Sequence, residues 1–154
     1  MTTTNYANYV LMDLASYFKA NRVVVASIHS QSYVDYEAYD KVFSIMYEYC
    51  EDTFSISQIV KNIPISILQK EQEFYKNDIL VVNKHSSLLD VCTAHLDKIG
   101  TEVIVNYLIR FNKLIVGILS LQYTKAKHIK TYSDLSLEDI TKLKAASDFF
   151  SIVI

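Results

Sequence analysis

Glycine and proline are nearly missing from this sequence: two and one among 154 residues. Few positions that need a positive φ are therefore expected, and long flexible linkers are argued against. Tryptophan is absent, and Cys50 and Cys92 are the only cysteines. Two thiols make no disulfide framework and read as reduced, buried side chains. The net charge is −2 with no basic run, so the basic stripe of a nucleic-acid binder is missing. No apolar stretch approaches the roughly 20 residues that cross a bilayer. The start, MTTTNYANYV, has no basic region leading into an apolar one, so no signal peptide is expected. Together these absences point to a cytoplasmic protein, or one built into a virion assembled in the cytoplasm.

What is present is an ordinary globular balance, 51% hydrophobic and 21% charged, in a length that suits one domain, residues 1–154, with a real core. Twelve tyrosines and a wealth of Lys, Ile and Asn suggest an AT-rich coding sequence. The chain is organised around Glu102–Tyr123, two strands joined by a tight polar turn at Phe111, Asn112 and Lys113. Val103, Val105, Tyr107, Ile109 and Phe111 point one way; Glu102, Ile104, Asn106, Leu108 and Arg110 point the other. Leu114–Tyr123 is apolar on both faces, as a central strand is, and Gly117 within it predicts a bulge or a close backbone approach.

Before this pair the spacing predicts a helix over Asn5–Ala20 (Tyr6, Val10, Leu14 and Phe18, widened by Leu11 and Tyr17) with Asn21 as its C-cap. A strand Arg22–Ile28 follows, then a polar connection Ser30–Asp40 containing Asp35 and Glu37. The next strand, Val42–Cys50, sets Phe43, Ile45, Tyr47 and Tyr49 on one face and Ser44, Met46, Glu48 and Cys50 on the other. Pro64 bars a central strand. Ser66 and Gln69 have capping-box spacing before a helix through Phe74 and Tyr75. Ile79–Val82 is a short strand, and Ser87 and Asp90 open a helix Leu88–Ile99 with Gly100 at its αL end. Lys125–Asp134 is a polar connection, and Ser136 and Asp139 cap a last helix with Ile140, Leu143, Ala146, Phe150 and Val153 on one stripe. This order is α+β with an antiparallel sheet.

The stretch HLDKIGTEVIVNYLIRFNKLIVGILSLQY, with Val116, Gly117, Ile118 and Leu119 as its core, and the closing LSLEDITKLKAASDFFSIVI together resemble a GAF domain, a sensor fold related to PAS. The resemblance covers Val10 to the C-terminus. It implies a central antiparallel sheet of five to six strands, with the first and last helices on one face. The segment Thr53–His95 would cover the other face and enclose a small-molecule pocket. GAF domains bind cyclic nucleotides, bilins, haem, amino acids or nothing, and many serve as dimerisation or docking modules.

The special chemistries of the family find little support in the residues. Asn83-Lys84 matches part of a cyclic-nucleotide motif, but the Phe and Asp-Glu that should follow are missing, so the pair reads as a polar loop. Cys92 and His95 are three apart, not adjacent as in bilin attachment. Cys50 and Cys92 are too few for a thiol reductase. His85, His95 and Cys92 fall short of a metal set, so no metal, cofactor or catalytic residue is assigned. Phe43, Tyr47 and Tyr49 read as core before ligand wall, and Glu102 and Arg110 as edge charges. Two functions remain. The first is a non-enzymatic module working by protein contact, as a subunit, docking or accessory piece, on composition that of a bacteriophage. Self-association or partner binding would use Tyr6, Tyr9, Tyr17 and Phe149. The stretch holds no kinase, cyclase or DNA-binding segment, so its output is expected to be a partner. The second is a small-molecule sensor with a pocket lined by Tyr47, Tyr49, Leu80, Leu89, Cys92, Tyr107 and Leu121.

Overall fold

A computed structural model describes residues 2–33, 38–68, 71–129 and 131–154. Its elements are α1 (Thr3–Phe18), β1 (Arg22–Tyr33), β2 (Ala38–Cys50), β3 (Ile63–Pro64), a 3-10 turn (Ile65–Leu68), α2 (Glu71–Asn77), β4 (Ile79–Asn83), α3 (Asp90–Lys98), β5 (Val103–Phe111), β6 (Leu114–Tyr123), a 3-10 turn (Tyr132–Asp134) and α4 (Leu137–Val153). The strands form one antiparallel sheet in the order β3-β2-β1-β6-β5-β4. The expected α+β architecture is present: α1 and α4 cover one face, and residues 53–99 cover the other.

The hairpin β5–β6 pairs as expected, Phe111 against Leu114. Asn112 (φ 50°) and Lys113 (φ 69°) both lie in the left-handed region, the two-residue turn whose twist matches its strands. The register slips between Ile109 and Arg110 opposite Gly117. A Cβ on Gly117 would sit 2.5 Å from Ile154 Cδ1 and 2.6 Å from the Ala26 carbonyl oxygen. Both the bulge and the close approach are thus present. The scarcity of glycine did not remove positive φ. Lys19, Asp52, Asn62, Asp78, Asn112 and Lys113 all adopt it, mostly the Asn and Asp that tolerate it best.

Several expectations are corrected. The helix α1 ends on Lys19 (φ 55°) rather than on Asn21. Asn21 instead accepts from Thr124 N at 3.0 Å through Oδ1, pinning the start of β1 to the end of β6. Its buried stripe is Ala7, Leu11, Leu14 and Ala15, not Tyr6 and Tyr17. The two alanines let the backbone approach the sheet, and the Tyr17 hydroxyl reaches Asp139 outside the core. The strands β1 and β2 run on to Tyr33 and from Ala38 through what reads as a connection; Asp35 and Glu37 lie outside the described residues, as does Gln69. The helix α3 starts at Asp90 without a side-chain cap from Ser87. Its end is as expected, with Gly100 at φ 62°. The Ser136–Asp139 capping box is formed, and Pro64 lies in the edge strand.

Candidate functional site

The two sheet faces differ in their polar content. Under α1 and α4 lie Val23, Val25, Val103, Val105, Tyr107, Ile109, Leu119, Leu121 and Tyr123. The Tyr123 hydroxyl donates to the Phe18 carbonyl at 2.9 Å, and burial raises its pKa far above the ordinary phenol value. On the other face a row of polar side chains crosses the central strands. The register places Arg22 beside Gln122 and Val24 beside Ser120, and Ser120 beside Asn106. All are buried.

Arg22 is 0% exposed. Its Nη1 donates to the Ile99 carbonyl (3.1 Å), Thr101 Oγ1 (3.1 Å) and Gln122 Oε1 (2.8 Å). Nε and Nη2 both donate to the Phe54 carbonyl, at 3.2 and 2.7 Å, and Nη2 also to Thr53 Oγ1 at 3.3 Å. The Phe54 ring packs over the guanidinium and closes on Gly100, where a Cβ would strike it. One side chain thus ties the 53–54 loop and the 99–101 turn to the end of the sheet. Every one of these acceptors is uncharged. Burial lowers the Arg22 pKa from its ordinary value, as it does for any cation taken from water.

Next to this cluster a cavity of about 20 Å³ opens between the sheet and residues 56–99. Its walls are mainly apolar, among them Val24, Phe43, Ile56, Val60, Ile104 and Ile118; its polar lining is His95, Asn106, Ser120 and Gln122. Ser120 Oγ donates to Asn106 Oδ1 at 2.5 Å, a distance that suits O–H···O. Asn106 is 2% exposed, and its Nδ2 is the one buried side-chain nitrogen or oxygen without a hydrogen bond among the described residues. The His95 ring meets Phe43 edge-on, and burial, then Lys98, lowers its pKa.

None of the seven residues expected to line a pocket lines this cavity, and they do not share one face. Leu80 and Cys92 pack on the cavity side; Tyr47, Tyr49, Tyr107 and Leu121 pack under the terminal helices. Leu89 is 64% exposed. The physical reason for the tyrosines is a bulge. Val25 pairs with Tyr47 but Ala26 pairs with Ile45, so Met46 is an extra residue that flips parity. Phe43 and Ile45 therefore face the cavity side, while Tyr47 and Tyr49 turn to the helices, Tyr47 against Phe150. The missed residues carried a signal: Asn106, Ser120 and Gln122 are the polar positions in two strands that are otherwise nearly all apolar.

The other candidates separate likewise. Asn83 Oδ1 accepts from His85 N, closing the 83–86 turn, and Lys84 pairs with Asp97. His85 pairs with Glu102 at 2.9 Å, and Arg110 with Asp78 at 2.9 Å, so the two edge charges are both partnered. Among the described residues no group of three or more His, Cys, Asp or Glu is placed to hold a metal ion. Burial raises the pKa of both thiols, with Glu48 adding to it at Cys50, the opposite of an activated nucleophile. Of the expected interface residues, Tyr6 stacks edge-on against Phe149 at 4.9 Å. Tyr17 donates to Asp139 at 3.1 Å beneath Lys142. Tyr9 stands apart, lining an open groove with Met12, Tyr49 and Cys50.

An antiparallel sheet with the terminal helices on one face and residues 53–99 on the other defines a three-layer α+β fold. Comparison with solved structures makes it specific: the protein has the GAF fold. It superposes on the phycocyanobilin-bound GAF domain of a cyanobacterial phytochrome with a TM-score of 0.70 at 10% identity, covering 99% of this chain and 84% of that one. The phycoerythrobilin-bound GAF domain of a cyanobacterial phytochrome gives 0.67 at 12% identity, covering 97% and 83%. The blue-light absorbing form of the Thermosynechococcus elongatus PixJ GAF domain gives 0.66 at 10%, covering 97% and 80%. No family model matches the sequence, and no curated protein matches it. Among the described residues no helix is long and apolar enough to cross a membrane.

Proposed function

We propose that this protein is a non-catalytic sensor domain that binds a small molecule between its sheet and residues 53–99. The observation that carries this reading is the Asn106 amide: the residue lines the cavity, and its Nδ2 is buried without a partner. Leaving such a donor unsatisfied costs about 1–3 kcal/mol, and groups of this kind are kept in native proteins where something outside the fold uses them. Two GAF-fold neighbours, one phycocyanobilin-bound and one phycoerythrobilin-bound, support a small-molecule ligand. A bilin itself is far larger than about 20 Å³, and Cys92 is buried in the core beneath α3, so the ligand is of another class. Native mass spectrometry of the gently purified chain tests this. A bound small mass that disappears in Asn106→Leu is the expected result. A bare chain whose melting temperature moves with no member of a metabolite panel overturns it.

A second reading, work by protein contact, rests on the outer surface of α1, where Tyr6 and Tyr9 are 51% and 53% exposed. Large exposed aromatics are enriched where proteins meet. Tyr9→Lys separates the two readings: it would break an assembly detected by sedimentation and leave ligand binding unchanged.

A further inference from the structure

We propose that the ligand of this cavity is a small anion with two planar oxygen acceptors, a carboxylate of formate size, held by Asn106 Nδ2 and Gln122 Nε2 beside the buried charge of Arg22. This rests on the small-molecule reading above and names the ligand's class.

The guanidinium fixes which way the Gln122 amide faces, and the Asn106 amide is placed with its Oδ1 toward Ser120. A guanidinium only donates, so Gln122 must turn its Oε1 toward Arg22 and its Nε2 away. Gln122 lines the cavity. Asn106 accepts from Ser120 through Oδ1, which leaves its Nδ2 as the free end. Asn106 pairs with Ser120, and Gln122 stands two residues further along the same strand. The two are diagonal neighbours on one sheet face, about 7–8 Å apart at the backbone. Amide side chains of that separation can each aim one N–H at an acceptor between them.

The charge of that acceptor follows from Arg22. Its cation is fully buried and donates only to three backbone or amide oxygens and two threonine hydroxyls. It has no ion pair with a carboxylate among the described residues. Glu48, which acts on it from farther off, is committed to Ser55 and to Ile56 N. A buried cation whose carboxylate lies beyond ion-pair reach keeps part of its desolvation cost. An anion one amide away relieves that cost, and Gln122, polarised by Arg22, passes the field on. Size follows from the cavity: about 20 Å³ holds one or two water-sized groups when about 10–15 Å³ suffices for one.

The test is a titration of the whole chain followed by the side-chain amide signals of Asn106 and Gln122 in 15N-edited spectra. Sodium formate at constant ionic strength is the probe, and formamide, of the same shape without the charge, is the control. The expected result is a saturable shift of both amide pairs with formate, at least tenfold weaker with formamide. Asn106→Leu should weaken formate binding tenfold or more while the variant melts no lower than the wild type. Equal response to formate and formamide overturns the anion class and leaves the cavity as the site. No response to either probe, or a formate response unchanged in Asn106→Leu, overturns the assignment of these amides. If native mass spectrometry also finds the chain bare, the small-molecule reading falls with it.

Discussion

The two faces of the sheet are built from the same strands and solve different problems. Beneath α1 and α4, residues such as Leu11, Leu14, Leu119, Leu121, Leu143 and Phe150 close without a polar group left over. Beneath residues 53–99, the neighbouring positions of the same strands hold Arg22, Asn106, Ser120 and Gln122, one of them with an unsatisfied donor. A strand's two faces alternate residue by residue, so selection can act on one without disturbing the other. The apolar face supplies stability; the polar face gives some of it up.

The largest effect should come from the polar face, where the apolar one would not be expected to yield it. Arg22→Met removes the common donor of the Phe54 and Ile99 carbonyls and Gln122 Oε1. The Ile99 carbonyl keeps the Thr101 hydroxyl as donor, so two acceptors orphaned at about 1–3 kcal/mol each give a loss of roughly 2–6 kcal/mol. Urea denaturation measures it. A loss below 1 kcal/mol would mean that loop 53–54 lets go and water takes over. The apolar face comes next. Leu14→Ala and Leu143→Ala, at 1% and 0% exposure, should each cost about 2–5 kcal/mol by cavity formation, read from the same denaturation curves. An unchanged midpoint in either would show that its helix does not seal this face.

How legible these faces were depended on what each needed from its residues. The hairpin, the capping box at Ser136, the αL end at Gly100 and the bulge at Gly117 follow from local rules and were readable. So was the placement of the terminal helices, since each carries one apolar stripe. The site was not readable at Tyr47 and Tyr49, because one bulged residue, Met46, exchanges the faces of everything beyond it and nothing in YEYC marks it. Nor could Tyr107 and Leu121 be placed by alternation alone. A central strand is apolar on both sides, and the pattern does not say which side the terminal helices take. Leu89 is expected to line the pocket from a helix starting at Leu88; without a Ser87 cap, α3 begins at Asp90, two residues later, and Leu89 turns outward. What could have found the cavity was the exception, Asn106 with Ser120 and Gln122, polar where the strands have no reason to be.

A change of opposite sign sharpens the comparison further. The double substitution Asn106→Leu with Ser120→Ala removes a buried unpaired donor and the hydroxyl bonded to its neighbour, and fills the cavity with hydrocarbon. It should raise stability by about 1–2 kcal/mol, since replacing both partners by apolar groups is neutral to favourable. A thermal melt that falls instead would mean that the amide is satisfied in solution, by water or by a ligand that copurifies.

The smallest expected effect belongs to His95 and separates the faces by pH. Its ring lines the cavity, and burial, followed by the charge of Lys98, holds its pKa below the ordinary value of 6.5. The folded state therefore prefers the neutral ring, and the unfolded chain takes up its proton first. As pH falls below about 6.5, the unfolded state binds more protons, so stability declines with each step toward the folded pKa and is flat above 6.5. Glu102 behaves differently. Its carboxylate is held below its ordinary 4.5 chiefly by His85, so the stability it contributes is lost only at pH values below 4.5. A comparison of pH 7.5 with pH 5.5 thus isolates histidine titration from Glu102. His95→Gln, which keeps a polar neutral group at the cavity, should flatten the decline relative to wild type. If the two proteins lose stability in parallel, His95 is protonated without cost, which requires water to reach its ring through residues 53–99. The cavity face would then be open in solution, and the contrast with the sealed face beneath α1 and α4 would widen.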